Sequence, residues 1–216
     1  MPFARFARMP AEKRERLLTV AAREFGLHGY EAASMNRILD EAGIGKSSAY
    51  YYFEDKADLF CAVVEYSVER LGLAASVEDI QTLTAENFWT GFAEAHDQPL
   101  LHVREHPWLF AAARAVERLT PESREREPLA SLASQLMSGM NAVIQRGQEL
   151  GLIRVDLPAD LLVAWFRAID GASDDWLLAR ITQPDAQIDQ TAILHLAGQT
   201  IAAIRQALTP PEQMSR

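Results

Sequence analysis

Between Lys46 and Tyr52 the chain reads Lys-Ser-Ser-Ala-Tyr-Tyr-Tyr, a dense set of hydrogen-bonding side chains around a single alanine. Hydroxyl, phenol and ammonium groups packed this closely suit contact with base edges and phosphate oxygens, and Ser48, Tyr51 and Tyr52 are candidates for such contact. Upstream, Asn36 carries an amide that can pair with adenine through two hydrogen bonds. Downstream, Lys56 falls in the first turn of a further helix. A cation is unfavourable beside the positive end of a helix unless an anion such as a phosphate lies there to be bound. Two other constellations suggest different chemistry. His102, Glu105 and His106 spell HxxEH, the spacing of one class of zinc peptidase, but Pro107 disfavours helical geometry at His106 and no third ligand announces itself. Asp170, Asp174 and Asp175 lie on an otherwise apolar run near Gly171, where they cap, face solvent, or orient a polar group of a ligand.

The elements around Lys46–Tyr52 have to present those groups. Ser34 is a good N-cap, so a helix should begin there with Ile38, Leu39 and Ala42 on one side, and Gly43 supplies the left-handed angle that ends it. Ile44 is expected to be buried and Gly45 to open a second, short helix. Before them, Leu17, Leu18, Ala21, Ala22 and Phe25 repeat at helical spacing within Ala11–His28. Gly29 should end that supporting helix, with Tyr30 packed under the turn. A helix, a glycine turn and a second helix with a polar face form the helix-turn-helix pattern, whose second helix enters the DNA major groove.

The run AGIGKSSAYYYFEDKADLF resembles the signature of the TetR (tetracycline-repressor-like) transcriptional regulators, in which a glycine turn precedes a helix ending in Tyr, two more residues and Phe, followed shortly by Lys. The resemblance covers roughly residues 10 to 60, and the remainder matches only in being helical. It implies that Tyr51 and Lys56 hold phosphates, that Lys46, Ser47 and Ser48 face the groove, that Tyr50 packs inward with Phe53, and that Asn36 reaches a base. Two departures stand out. Gly45 occupies the place of a Ser or Thr cap, weakening the cap by a few tenths of a kcal/mol. Leu39 replaces a small residue and Ala49 a larger aliphatic, a pairing that reads as a volume exchange in the small core between the helices.

With 216 residues, 49% of them hydrophobic and 24% charged, the chain has the composition of a globular protein with one large or two modest cores. Its one cysteine, Cys61, allows no internal disulfide and no cysteine-based zinc site. No run reaches the apolar length of a membrane span and the first residues lack the apolar core of a secretory signal, so the cytoplasm is the expected location. The net charge of −9 is not an objection to DNA. Residues 1–60 hold as many basic as acidic residues, and the acidic excess lies beyond them. Arg5, Arg8, Lys13, Arg14 and Arg16 gather at the front, where a flexible arm could reach phosphates.

Further helices are expected from Asp55 to about Ala74, from Ala85 to Asp97 until Pro99 interrupts, and from Pro107 to about Leu119 until Thr120–Pro121 stop it. Others run from Leu129 to Gly151, from Asp156–Pro158 to Arg180, and from Asp189 to Ala207. The expected fold is all-α with about nine helices: a DNA-binding domain at 1–55 and a ligand-binding and dimerisation domain at 56–216. The last two long helices are apolar over a wider arc than one core requires, which a twin chain can cover in a four-helix interface. Leu162, Phe166, Ile169, Ile193, Leu196, Ala197, Ile201 and Ile204 are the candidates for that homodimer interface. The resemblance implies a small-molecule cavity among the middle helices, with Trp89, Phe92, His96, Trp108, Met140, Trp165 and Asp174 as candidate lining and no cofactor. The resulting expectation is a ligand-responsive repressor on a near-palindromic operator. Its rivals are a ligand-independent DNA-binding protein and an HxxEH hydrolase.

Overall fold

Leu17, Leu18, Ala21, Ala22 and Phe25 form the buried stripe of helix α1 (Ala11–Ala32) in the computed structural model of the chain, which describes residues 4–72, 77–183 and 188–211. Near its end α1 is broken at Gly29, whose φ of 70° and ψ of 176° are open to glycine and costly for other residues. The break brings Tyr30 down onto Phe60, with ring centroids 5.2 Å apart. Ser34 Oγ then accepts from the Arg37 amide at 3.3 Å and starts α2 (Met35–Ala42). Gly43, at φ 70° and ψ 35°, ends it. Gly45 opens α3 (Lys46–Tyr52) without a side-chain cap bond, as a glycine must. Ahead of α4 (Lys56–Leu71), Asp55 Oδ1 accepts from the amides of Ala57 and Asp58, and Asp58 Oδ2 accepts in return from the Glu54 amide at 3.0 Å. This reciprocal cap fixes the direction in which α4 leaves α3.

Seven more α-helices follow: α5 (Val77–Thr82), α6 (Phe88–Leu100), α7 (Pro107–Arg114), α8 (Pro121–Arg124), α9 (Leu129–Glu149), α10 (Ala159–Ile181) and α11 (Gln190–Leu208). Two 3-10 turns, Ala4–Arg8 and Ala115–Arg118, complete the described elements, which are all helical. The additions to the expected nine helices are α5 and α8, each too short to carry a periodic pattern. Thr120 caps α8, accepting from the Ser123 amide, so Thr120–Pro121 start a helix as well as stopping one. Pro99 lies inside α6 but only one residue before its end, and the helix runs through it to Leu100. The expected end of the fourth helix at Ala74 lies outside the described residues.

The chain divides into two compact units, Met1–Leu71 with His106–Gln135, and Gly72–Glu105 with Leu136–Arg216. In the first, α7 packs across both α1 and α4. Gly26 permits the approach: a Cβ there would stand 2.9 Å from the Ala111 Cβ and 3.2 Å from the Trp108 carbonyl oxygen. Covered on two sides, α4 is buried without interruption from Ala57 to Val64. In the second unit Phe88, Ile144, Ile153, Leu162, Phe166, Ile201 and Ile204 share one core. Of the residues expected to pair two chains, Leu162, Phe166, Ile193, Ala197, Ile201 and Ile204 are buried within this single chain, and Ile169 and Leu196 are half-buried. The wide apolar arc of α10 and α11 is therefore largely consumed by their packing inside the second unit.

Candidate nucleic-acid interface

On α3 only Ala49 is buried, while Lys46, Ser47, Ser48, Tyr50 and Tyr51 are exposed. Ala49 and Phe53 stand one helical turn apart and face inward, both at 0% exposure. Tyr50 departs from its expected inward position: it is 60% exposed, more than Tyr51 at 53%. It sits beside Ala49 in sequence and is thus rotated away from the inward line. Tyr52 is half-buried instead, its ring edge-on to Phe6 at 6.2 Å. Ile44 is half-buried rather than buried.

The platform beneath α3 is tied down by one carboxylate. Glu24, buried on α1, accepts from the Ser34 amide at 2.8 Å and from Arg37 Nη1 at 3.0 and 3.1 Å. A buried charge is tolerated because it is hydrogen-bonded on both oxygens, and those bonds set the start of α2 against α1. Asn36 lies exposed on α2. Where α1 meets the glycine turn, a groove of about 480 Å³ is lined by Lys13, Arg16, Ile44, Gly45, Ser48 and Tyr52. Arg16 holds one side of it by donating to the Glu41 carbonyl at 3.1 Å.

Lys56 has a more structural environment than its charge alone suggests. Its Nζ donates to the carbonyls of Glu31 and Ala33 at 3.0 and 3.2 Å and lies 4.7 Å from the centre of the Tyr30 ring. Burial lowers its pKa, partly countered by Glu31. The ammonium thus caps the carbonyl end of α1, and of its three N–H groups two are directed at those carbonyls. Glu31 is itself anchored: burial works against its charge, but the hydrogen bonds from Thr120 and Ser123 hold its carboxyl below the usual range.

The segment before α1 was expected to be a flexible arm and is instead packed. Phe6 and Met9 are buried, Phe6 lies 4.7 Å from the Phe53 ring, and Arg5 stacks over Tyr51 with its guanidinium carbon 4.3 Å from the ring centre. The three-residue spacing of Phe6 and Met9 in a basic stretch was the available signal.

The residues expected around a small molecule divide between the units. Trp108 belongs to the first, on α7. Trp89, Phe92, Met140 and Trp165 are half-buried against the core of the second, where Trp89, Phe92 and Phe166 form a train of edge-on rings at 6.0 and 5.6 Å. His96 on α6 bonds Asp170 on α10 through Nε2 at 3.0 Å and its neighbour Asp97 through Nδ1 at 3.3 Å. Burial opposes protonation of this imidazole, yet Asp170, with Asp97 and Asp174, outweighs burial and raises its pKa. Asp174 is buried one turn along α10 from Asp170. His102–Glu105 form turns, and His106 precedes the first residue of α7, so the HxxEH imidazoles do not share a helical face. No group of three or more metal-binding side chains occurs among the described residues.

Comparison with known proteins agrees with this geometry. Residues 17–63 match the model for bacterial regulatory proteins of the tetR family. The chain is 26% identical to the HTH-type transcriptional repressor AcnR of Corynebacterium diphtheriae, over 73% of this chain and 76% of that one. It is 23% identical to the HTH-type transcriptional repressor Rv1474c of Mycobacterium tuberculosis, over 88% and 94%. A crystal structure of a TetR family transcriptional regulator from Chloroflexus aurantiacus superposes with a TM-score of 0.62 at 21% identity, covering 97% of this chain and 99% of that one.

Proposed function

Since the chain belongs to the TetR family of bacterial regulatory proteins, we propose that it is a homodimeric, ligand-responsive repressor that reads a near-palindromic operator in duplex DNA. The observation that carries this reading is the face of α3: a seven-residue helix whose only buried side chain is Ala49 has little reason to exist except for what its outer groups touch. Ser47, Ser48 and Lys46 address base edges in the major groove, and Asn36 of α2 reaches a further base. Tyr50, Tyr51 and Tyr52 border the groove. Lys56 gives a phosphate the N–H left over from its two carbonyls. Functionally the division falls near residue 55, with 56–216 serving ligand and partner, although α4 and α7 pack with the DNA-binding helices.

An effector among Trp89, Phe92, His96, Met140, Trp165 and Asp174 shifts the population of dimers away from the head spacing that fits the operator, by no more than its differential affinity for the two states. The relatives named as repressors support that sense of regulation. No helix among the described residues is long and apolar enough to cross a membrane, which suits a protein acting on DNA in the cytoplasm.

Selection of duplexes from a random-sequence pool by the purified chain tests the proposal, and the enriched sequence should be near-palindromic. Ser48→Ala and Asn36→Ala should each alter preference at one position per half-site. Lys56→Ala should weaken all duplexes alike and lower the slope of log affinity against log salt by about 0.9 per head. Failure of the wild-type chain to enrich any duplex at low ionic strength refutes the reading.

A further inference from the structure

We propose that the groove between the start of α1 and the turn at residues 43–45 seats one strand of the duplex entered by α3, and that Lys13 of α1 takes a backbone phosphate there. The proposal rests on the DNA-binding reading above and adds to it a second helix and a seat for the strand.

Helical spacing sorts the first turns of α1 into two sides. Glu12, Lys13 and Arg16 line the groove of about 480 Å³ that they share with Gly45, Ser48 and Tyr52, whereas Arg14, Glu15 and Leu18 line a different groove beside α4. One wall of the first groove is therefore α3 itself, through the exposed Ser48 and the half-buried Tyr52. A Cβ added at Gly43 or Gly45 would meet nothing of the surrounding chain within 4 Å, so the groove is open along the turn.

The identity of the occupant follows from that wall. A helix lying in the major groove has a sugar-phosphate strand along each flank, and the cleft running beside Ser48 and Tyr52 is where one of those strands passes. Charge then singles out Lys13. Arg16 is engaged with the Glu41 carbonyl at 3.1 Å and helps to build the wall. Lys13 is exposed and makes no hydrogen bond or ion pair among the described residues, so its three N–H groups are available to phosphate oxygens. Glu12 lines the same groove, and its carboxylate opposes an anion there. Two side chains of opposite charge thus face one seat, which gives the proposal a sign that can be read at each of them.

The test uses the full chain and the duplex enriched by the wild type, with affinity measured across a salt series. Lys13→Ala should weaken binding roughly tenfold at low salt and make the salt slope shallower by about 0.9 per head, without changing base preference. Lys13→Arg returns the charge and should recover the slope. Glu12→Gln should act in the opposite sense, tightening binding about threefold at low salt, with the gain closing as salt screens the contact. Glu15→Gln removes the same charge from the other side of α1 and should change affinity far less. All three side chains are exposed, so each variant should melt with the wild type and a lost contact is not a lost fold. A wild-type slope in Lys13→Ala overturns the proposal, and so do equal gains from Glu12→Gln and Glu15→Gln, which would reduce the effect to net charge. A wild type that enriches no duplex sinks the parent reading too, whereas normal enrichment with an unaltered Lys13→Ala slope sinks this one alone.

Discussion

A histidine wedged between carboxylates holds a proton that a free histidine would surrender near pH 6.5. His96 does so because Asp170 and Asp97 bond both ring nitrogens and Asp174 adds charge, against a burial that works the other way. The folded imidazole therefore binds its proton more tightly than the unfolded one, and the stabilisation is fully present below the ordinary histidine pKa. It is lost as pH rises through the raised folded value. Denaturant unfolding of the wild type should accordingly show stability falling with pH above about 6.5, and His96→Gln should flatten that limb. Equal pH slopes in the two proteins would contradict the assignment. The histidine was singled out from sequence as a lining residue, but its partner was not, since Asp170 lies 74 residues away and only the fold, in which α6 and α10 both pack against α11, brings the two together. Lys56 teaches the same lesson. Its place in the motif was legible, while its bonds to the Glu31 and Ala33 carbonyls depend on how α1 ends against α4.

At the scale of elements, the turns and caps were the most legible features because their causes are local. Ser34, Gly43, Gly45 and Asp55 each act within three residues of themselves, and each stands where its chemistry places it. Tyr50 was misread for the opposite reason, since which side of a short helix is inward is decided by what packs beneath it. Here that partner is the interior shared by Leu39 at 2% and Ala49 at 0% exposure. If the large residue on α2 and the small one on α3 are a volume exchange, Ala49→Leu alone should overpack the site and cost about 1–3 kcal/mol. Adding Leu39→Ala should bring the loss back to within about 1.5 kcal/mol of wild type. Urea midpoints at constant slope measure both. Indistinguishable single and double variants would mean the two side chains do not share a space. The same logic explains why the packing of α7 on α1 had to be found in the structure although the helix itself was expected: nothing local in Gly26 reveals that Ala111 will approach it.

The proposed repressor has to bring two heads to one operator, and the face on which it would pair is constrained by what α10 and α11 have already used. Their largest aliphatic groups are committed to the core of one chain, so in the proposed dimer the partner is expected on the flank that remains. On α10 that flank is Leu161, Ala164, Ala168 and Ala172, exposed at steps of three and four residues, and on α11 it includes Gly198 and Ala202. Small side chains at such spacing let helices approach closely and interdigitate, whereas a bulky or charged group there holds them apart. Ala168→Glu should therefore leave the helix content and melting of the isolated chain intact, since the site is exposed, but shift the protein from dimer to monomer in sedimentation equilibrium. Because joining two heads makes the second half-site contact intramolecular, the same variant should lose roughly a hundredfold in operator affinity while each head keeps its base preference. Ala168→Glu that remains dimeric places the pairing face elsewhere. A variant that becomes monomeric yet binds the operator as tightly as wild type removes the need for two heads, and with it the reason for a near-palindromic site.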